Sequence, residues 1–126
     1  MTFRTLLAIK AAVCLVFGVV LLLLPGWLFG LLGATLGPGG TLAAREYGAA
    51  MFGILILAWL ARNTSDRIAR RAILLQLLVY DAIGCVVTLM AVFSGTLNFL
   101  GSGIVFVYLF FTLGPGYLLA GEKTAA

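Results

Sequence analysis

The chain has 126 residues, the length of one domain; 63% of them are hydrophobic and only 10% are charged. This composition excludes a soluble protein with a polar surface and predicts an integral membrane protein. The net charge of +4 predicts no nucleic-acid partner, because arginines held beside anionic lipid headgroups account for it.

Four apolar stretches are long enough to cross a bilayer as helices, since one crossing needs about 20 residues. They lie at residues 5–24, 43–61, 72–93 and 97–120. Each is continuously apolar and lacks the two-residue alternation of a half-exposed β-strand. The sequence therefore predicts an all-α integral membrane fold, in which residues 1–126 form a single bundle of four transmembrane helices.

Positive charge is concentrated on one side of these four crossings. Seven of the eight Lys and Arg residues fall there, and only Arg45 lies opposite. The excess of cations on cytoplasmic loops predicts that both termini and residues 62–71 face the cytoplasm. The seven residues are Arg4, Lys10, Arg62, Arg67, Arg70, Arg71 and Lys123.

Residues 25–40 are apolar but rich in glycine and proline, so they do not form a further crossing. We expect this segment to lie along the outer membrane interface or to re-enter the membrane, with Trp27 and Phe29 as anchors. The run 37–40 then turns the chain into the second long helix. Near the other end of the chain, Pro115 between two glycines predicts a kink or the end of the fourth helix.

The second long helix opens with small residues at helical spacing. Ala44 with Gly48, and Ala49 with Gly53, are each four residues apart. Such pairs let the backbone of a neighbouring helix approach closely in lipid, so all four are predicted packing residues.

Polar residues at the predicted outer surface form a second group. Arg45 and Glu46 lie near the start of the second long helix, and Asn98 and Ser102 near the start of the fourth. We expect these four side chains to form one outer polar cluster.

Asp81 is the one acidic residue near the middle of a predicted crossing. Counted from Arg71 at the inner surface, it lies ten residues into the helix, about 15 Å deep. An ionised carboxylate at that depth is costly, by at least about 2.5 kcal/mol, unless it faces the bundle interior and finds a cation. Lys10 is the nearest cation by depth, and Tyr80 and Gln76 share the helix, so these four form the candidate intramembrane site.

Asp81 has two interpretations, a proton or cargo site and a packing contact with Lys10, Tyr80 or a facing helix. A single acid with no histidine in the chain makes a poor proton relay, which favours the packing contact. No cofactor or metal is expected, because histidine is absent and Cys14 and Cys85 lie in separate crossings.

Several short motifs resemble those of small bacterial four-helix inner-membrane proteins of unknown function. They are Pro25 after the first helix, the glycine-rich segment, the run Arg45-Glu46-Tyr47-Gly48-Ala49, the run Trp59-Leu60-Ala61-Arg62-Asn63, and Arg70-Arg71. The resemblance implies a bacterial inner membrane and no established catalytic residues.

Two functions fit these features. The first is a non-catalytic membrane subunit or accessory protein that packs against other membrane proteins or itself, since the short loops offer little surface for soluble chemistry. The alternative is a small transporter or carrier that uses Asp81 as an intramembrane proton or cargo site. No nucleophile, base and orienting group occur at a workable spacing, so we do not expect an enzyme.

Overall fold

The computed structural model describes residues 1–124, with side chains through Glu122. Within that part the fold is all-helical, as predicted, and four of its helices are long and apolar enough to cross a membrane. The last two residues of the predicted domain lie outside the described part. The helices are α1 (Phe3–Leu23), α2 (Pro25–Leu31), α3 (Pro38–Ala61), α4 (Arg67–Phe93) and α5 (Gly101–Thr124).

The long helices begin at residues that suit helix starts. Thr2 caps α1 by accepting from the amide of Thr5, and Asp66 caps α4 by accepting from the amide of Ala69 at 2.7 Å. Pro38 occupies the first turn of α3, where a missing amide hydrogen is harmless. Consequently α3 begins at Pro38 instead of residue 43, and α4 begins at Arg67 instead of residue 72.

Two proline- and glycine-rich segments are largely helical. Residues 25–31 form α2, and residues 38–40 belong to α3 instead of forming a turn. Helix α5 continues past Pro115, whose side chain is fully buried. A proline inside a helix removes one backbone hydrogen bond and strains the preceding turn.

The four long helices form two hairpins, because α1 packs most extensively on α3 and α4 on α5. Gly48 makes the first pairing close: a Cβ atom there would lie 3.0 Å from the carbonyl oxygen of Gly18. One apolar core joins both hairpins and includes Phe3, Leu7, Leu74 and Phe111. A second core is confined to the first hairpin and α2, with Cys14, Leu21, Ala44 and Met51.

The molecule has two chemically different ends. At one end, which we call the arginine-rich end, the guanidinium of Arg70 lies 4.5 Å from the ring centroid of Phe3, and Arg67 lies near Glu122. At the other, the α2 end, the amide of Asn98 donates to the carbonyl of Leu32 at 2.7 Å. The core shared by both hairpins lies toward the arginine-rich end, whereas toward α2 Asn98 joins the hairpins through hydrogen bonds to Leu31 and Leu32.

Candidate functional site

The centre of the bundle holds a buried ion pair between the two hairpins. Lys10 of α1 donates to both carboxylate oxygens of Asp81 of α4, over distances of 2.8 and 2.9 Å. Only 3% of the Lys10 side chain and 1% of the Asp81 side chain are exposed. The sequence predicted this contact from depth, and it is the one salt bridge among residues 1–122.

Aromatic rings enclose the ammonium group of Lys10. Its Nζ lies 4.3 Å from the ring centroid of Phe111 and 5.5 Å from that of Tyr80. The electron-rich faces of these rings attract a cation, and this attraction strengthens when water is excluded. Lys10 is therefore stabilised both by the carboxylate and by two rings from the second hairpin.

Three tyrosines form a hydroxyl cluster next to the ion pair. The Tyr80 hydroxyl donates to that of Tyr47, and the hydroxyls of Tyr47 and Tyr108 are 3.0 Å apart. Because these residues lie on α4, α3 and α5, the cluster also joins the two hairpins. Gly84 leaves room for it, since a Cβ atom there would lie 2.5 Å from the Tyr108 ring.

A cavity of about 160 Å³ lies beside both groups, between the two hairpins. Lys10 and Asp81 line it, as do the tyrosines Tyr47 and Tyr108 and the hydroxyl residue Thr88. Most of the other lining residues are apolar side chains of α1, α3 and α5. Further residues line it from α2 and the segments beside it and from the connection before α5: Leu28, Phe29, Leu32 and Leu97.

Gln76 does not belong to this site, although the sequence placed it there. Its side chain is exposed and makes no hydrogen bond with another described residue. The five residue steps from Gln76 to Asp81 correspond to about 140° of rotation around the helix, so the two side chains leave α4 on different faces. Tyr80 does approach the ion pair, but its hydroxyl bonds Tyr47 and only its ring faces Lys10.

The predicted outer polar cluster is not assembled. Arg45 and Glu46 are exposed, and neither they nor Ser102 form a side-chain hydrogen bond within residues 1–122. Each residue step turns a helix by about 100°, so the positions after buried Ala44 leave the packed face. Asn98 instead donates through its side chain to the carbonyl of Leu31 at 2.8 Å, next to the end of α2.

The four predicted packing residues divide between two faces of α3. Ala44 and Gly48 are buried against α1, and a Cβ atom on Gly48 would meet the α1 backbone. Ala49 and Gly53 are exposed, and a Cβ atom on Gly53 would have nothing within 4 Å. Only the first pair therefore packs a helix within this chain.

Sequence reasoning missed Tyr47, Tyr108 and Thr88 as members of the site. Counting residues from the arginine-rich end of each helix would have found Tyr47. Tyr80, counted from the start of α4, and Tyr47, counted from the end of α3, lie at nearly the same distance from that end. The predicted late start of α4 concealed this match. The volume beside the ion pair has no signal in the sequence, because it depends on how the hairpins separate.

The site can neutralise charge internally, donate hydrogen bonds into a mostly apolar cavity, and exchange protons among hydroxyl groups. Among the described residues, no three or more His, Cys, Asp or Glu side chains are grouped so as to hold a metal ion. These features define a helical protein with a polar centre inside an apolar bundle. No family model matches the chain, and no curated protein or solved structure matches it either.

Proposed function

We propose that this protein is a non-catalytic subunit or accessory protein of a larger complex in a bacterial inner membrane. In this proposal α1, α3, α4 and α5 cross the bilayer, both termini and the link between α3 and α4 face the cytoplasm, and α2 lies along the outer interface. The length and hydropathy of the four helices support the crossings. The position of the arginines supports the orientation.

The observation that carries the subunit proposal is an outward groove between α1 and α3. We call it the docking groove; its volume is about 520 Å³. Small side chains, Ala8 and Ala12, line it on α1, and Ile56, Trp59 and Leu60 line it on α3. Small residues four apart on a lipid-facing helix permit close backbone approach, which drives helix association in membranes through packing.

Exposed Ala49 and Gly53 extend the same face of α3 toward the α2 end. Gly53 precedes Ile56 by three residues and Ala49 precedes Gly53 by four, so all three lie along one side of the helix. The open space above Gly53 leaves room for the backbone of a partner helix. The docking groove, with its alanines on α1, and these two small residues on α3 therefore offer one continuous surface to another membrane protein or to a second copy.

Site-specific crosslinking in native membranes tests the docking groove. A photoreactive phenylalanine analogue at Ile56 is expected to crosslink one stoichiometric protein partner, and an additional Ala12→Phe substitution is expected to abolish this product by filling the groove. The matched control position is Val87, which is exposed on α4. Crosslinks to lipid alone at Ile56, or the same protein products at both positions, would contradict the proposal.

A second candidate function is a small carrier, which the cavity beside Asp81 favours. The carboxylate lines a space between the two hairpins, which a cargo or proton could occupy. In reconstituted vesicles, Asp81→Asn is expected to abolish the flux of the transported species that the unmodified protein carries, and thermal unfolding checks that the variant is still folded. Flux equal to that of protein-free vesicles for the unmodified protein would exclude this candidate.

A further inference from the structure

The cavity between the hairpins has a polar end and an elongated apolar body. On α1 it is lined by Lys10, Val13, Phe17 and Leu21, which lie on successive turns. At 1.5 Å per residue these positions span about 16 Å along the helix. The ion pair lies at the end of this stripe that is farther from α2, and Leu28 lines the cavity from α2 itself.

The tyrosine cluster presents two hydroxyl groups to the cavity. Tyr47 and Tyr108 both line it, and their hydroxyls are 3.0 Å apart. A phenol oxygen can accept a hydrogen bond while its proton is donated elsewhere, so the cluster offers acceptors to a group inside the cavity.

Asp81 can accept further hydrogen bonds. Its two oxygens together accept about four hydrogen bonds when ionised, and within the described residues Lys10 supplies two of them. Thr88 also lines the cavity and has no side-chain hydrogen bond to another described residue. The polar end therefore offers unused acceptors, and Thr88, two turns nearer α2, adds a hydroxyl group at the surface of the same cavity.

A hydroxyl group suits such a surface because it accepts and donates at once. A charged head group does not suit it, since Lys10 and Asp81 already neutralise each other and a further buried charge would have no counter-ion. The volume of about 160 Å³ is close to that of an engineered cavity that holds one benzene ring. Only a slim molecule, such as a single hydrocarbon chain, fits a cavity of this volume and length.

We propose that this cavity binds a neutral single-chain alcohol, with its hydroxyl at the Asp81 and tyrosine end and its chain directed toward α2. The proposal rests on the membrane location proposed above, but it requires neither transport nor a protein partner. The chain would contact the apolar side chains of α1, α3 and α5, and the hydroxyl would donate to the free acceptors of Asp81.

Photoaffinity labelling of the purified full-length protein in lipid nanodiscs tests this inference. The probe is octan-1-ol carrying a diazirine on its third carbon, and the labelled residues are identified by mass spectrometry. We expect saturable labelling of cavity residues such as Val13, Phe17 and Ile104. Unlabelled octanol is expected to compete better than octane, because only the alcohol uses the polar end.

A cavity-filling substitution and a matched surface substitution complete the test. Val107→Phe fills the cavity and is expected to abolish the saturable labelling, whereas Val86→Phe on the exposed face of α4 is expected to leave it unchanged. Thermal unfolding checks that both variants are folded. Labelling spread over the exposed helix faces, equal labelling of both variants, or equal competition by octane would overturn the inference. Crosslinking from the docking groove and flux in vesicles are separate measurements, so either proposed function can fail while this binding stands.

Discussion

At the scale of single residues, the contact between Lys10 and Asp81 dominates the interior. Two charges lose their hydration on burial, and only good geometry and additional partners offset that loss. Here both carboxylate oxygens receive a hydrogen bond, and two aromatic rings face the ammonium group. Because α1 and α4 belong to different hairpins, the pair also fixes how the hairpins meet.

Removing one partner of this pair is expected to lower the free energy of unfolding much more than removing both partners does. Asp81→Leu leaves a buried, unpaired lysine and should lower the free energy of unfolding by about 3–5 kcal/mol. The double variant Lys10→Met with Asp81→Leu should recover most of that loss, because two apolar side chains of similar size need no counter-ion. Thermal or denaturant unfolding in detergent micelles measures both.

Gln76→Leu is the control for this comparison, since it removes an exposed polar group from the same helix. We expect it to change stability little. A double variant as unstable as Asp81→Leu alone would show that the ion pair contributes something that apolar packing cannot replace, and would favour the carrier function.

At the scale of helices, the two faces of α3 have different neighbours although both carry small residues. Gly48 contacts the α1 backbone around Gly18, Leu21 and Leu22, whereas Gly53 faces open space. The sequence does not distinguish the two glycines, because each of them follows an alanine, Ala44 or Ala49, by four residues. Only the rotation of α3 about its axis, set by the burial of Met51 and Ala58, distinguishes them.

Alanine substitution of the two glycines should therefore have opposite effects. Gly48→Ala places a methyl group 3.0 Å from backbone atoms of α1, and overpacking of this kind typically destabilises by about 1–3 kcal/mol. Gly53→Ala meets no atom and should be neutral or stabilising by up to about 1 kcal/mol, because alanine favours helix more than glycine does. Unfolding experiments on the two purified variants measure this difference. Equal losses of stability in both variants would contradict the close approach at Gly48.

At the scale of the whole molecule, charge separates the two ends. Arg4, Arg62, Arg67 and Arg70 lie at the arginine-rich end, where α1 and α4 begin and α3 ends. Arg62 also stacks on Trp59, its guanidinium 3.5 Å from the ring centroid. An aromatic ring and cations together suit a membrane surface with anionic lipids.

Cysteine labelling is expected to place the two ends on opposite sides of the membrane. In a background with Cys14 and Cys85 replaced by alanine, Thr35→Cys lies between α2 and α3 and Ser65→Cys lies between α3 and α4. In intact cells a membrane-impermeant maleimide should label the first variant and not the second, because the cation-rich link remains in the cytoplasm. The reverse pattern would invert the proposed orientation.

The sequence by itself determined the all-helical class, the four long apolar helices and the partner of Asp81. These depend on local quantities: a run of apolar residues, and the number of residues between a charge and the end of its helix. The predicted helix starts at residues 43 and 72 were late, because each helix begins several residues before its apolar run does. Pro38 and Asp66 mark the actual starts of α3 and α4.

Only the tertiary structure decided which faces of the helices meet. It separated Gly48 from Gly53, moved Gln76 away from Asp81, brought Tyr47 and Tyr108 together, and left a cavity where the two hairpins diverge. A helix of nearly uniform apolarity gives little indication of its inward side, because lipid accepts the same side chains as the protein interior does. In this chain the relative rotation and separation of the helices therefore depend on packing between residues distant in sequence.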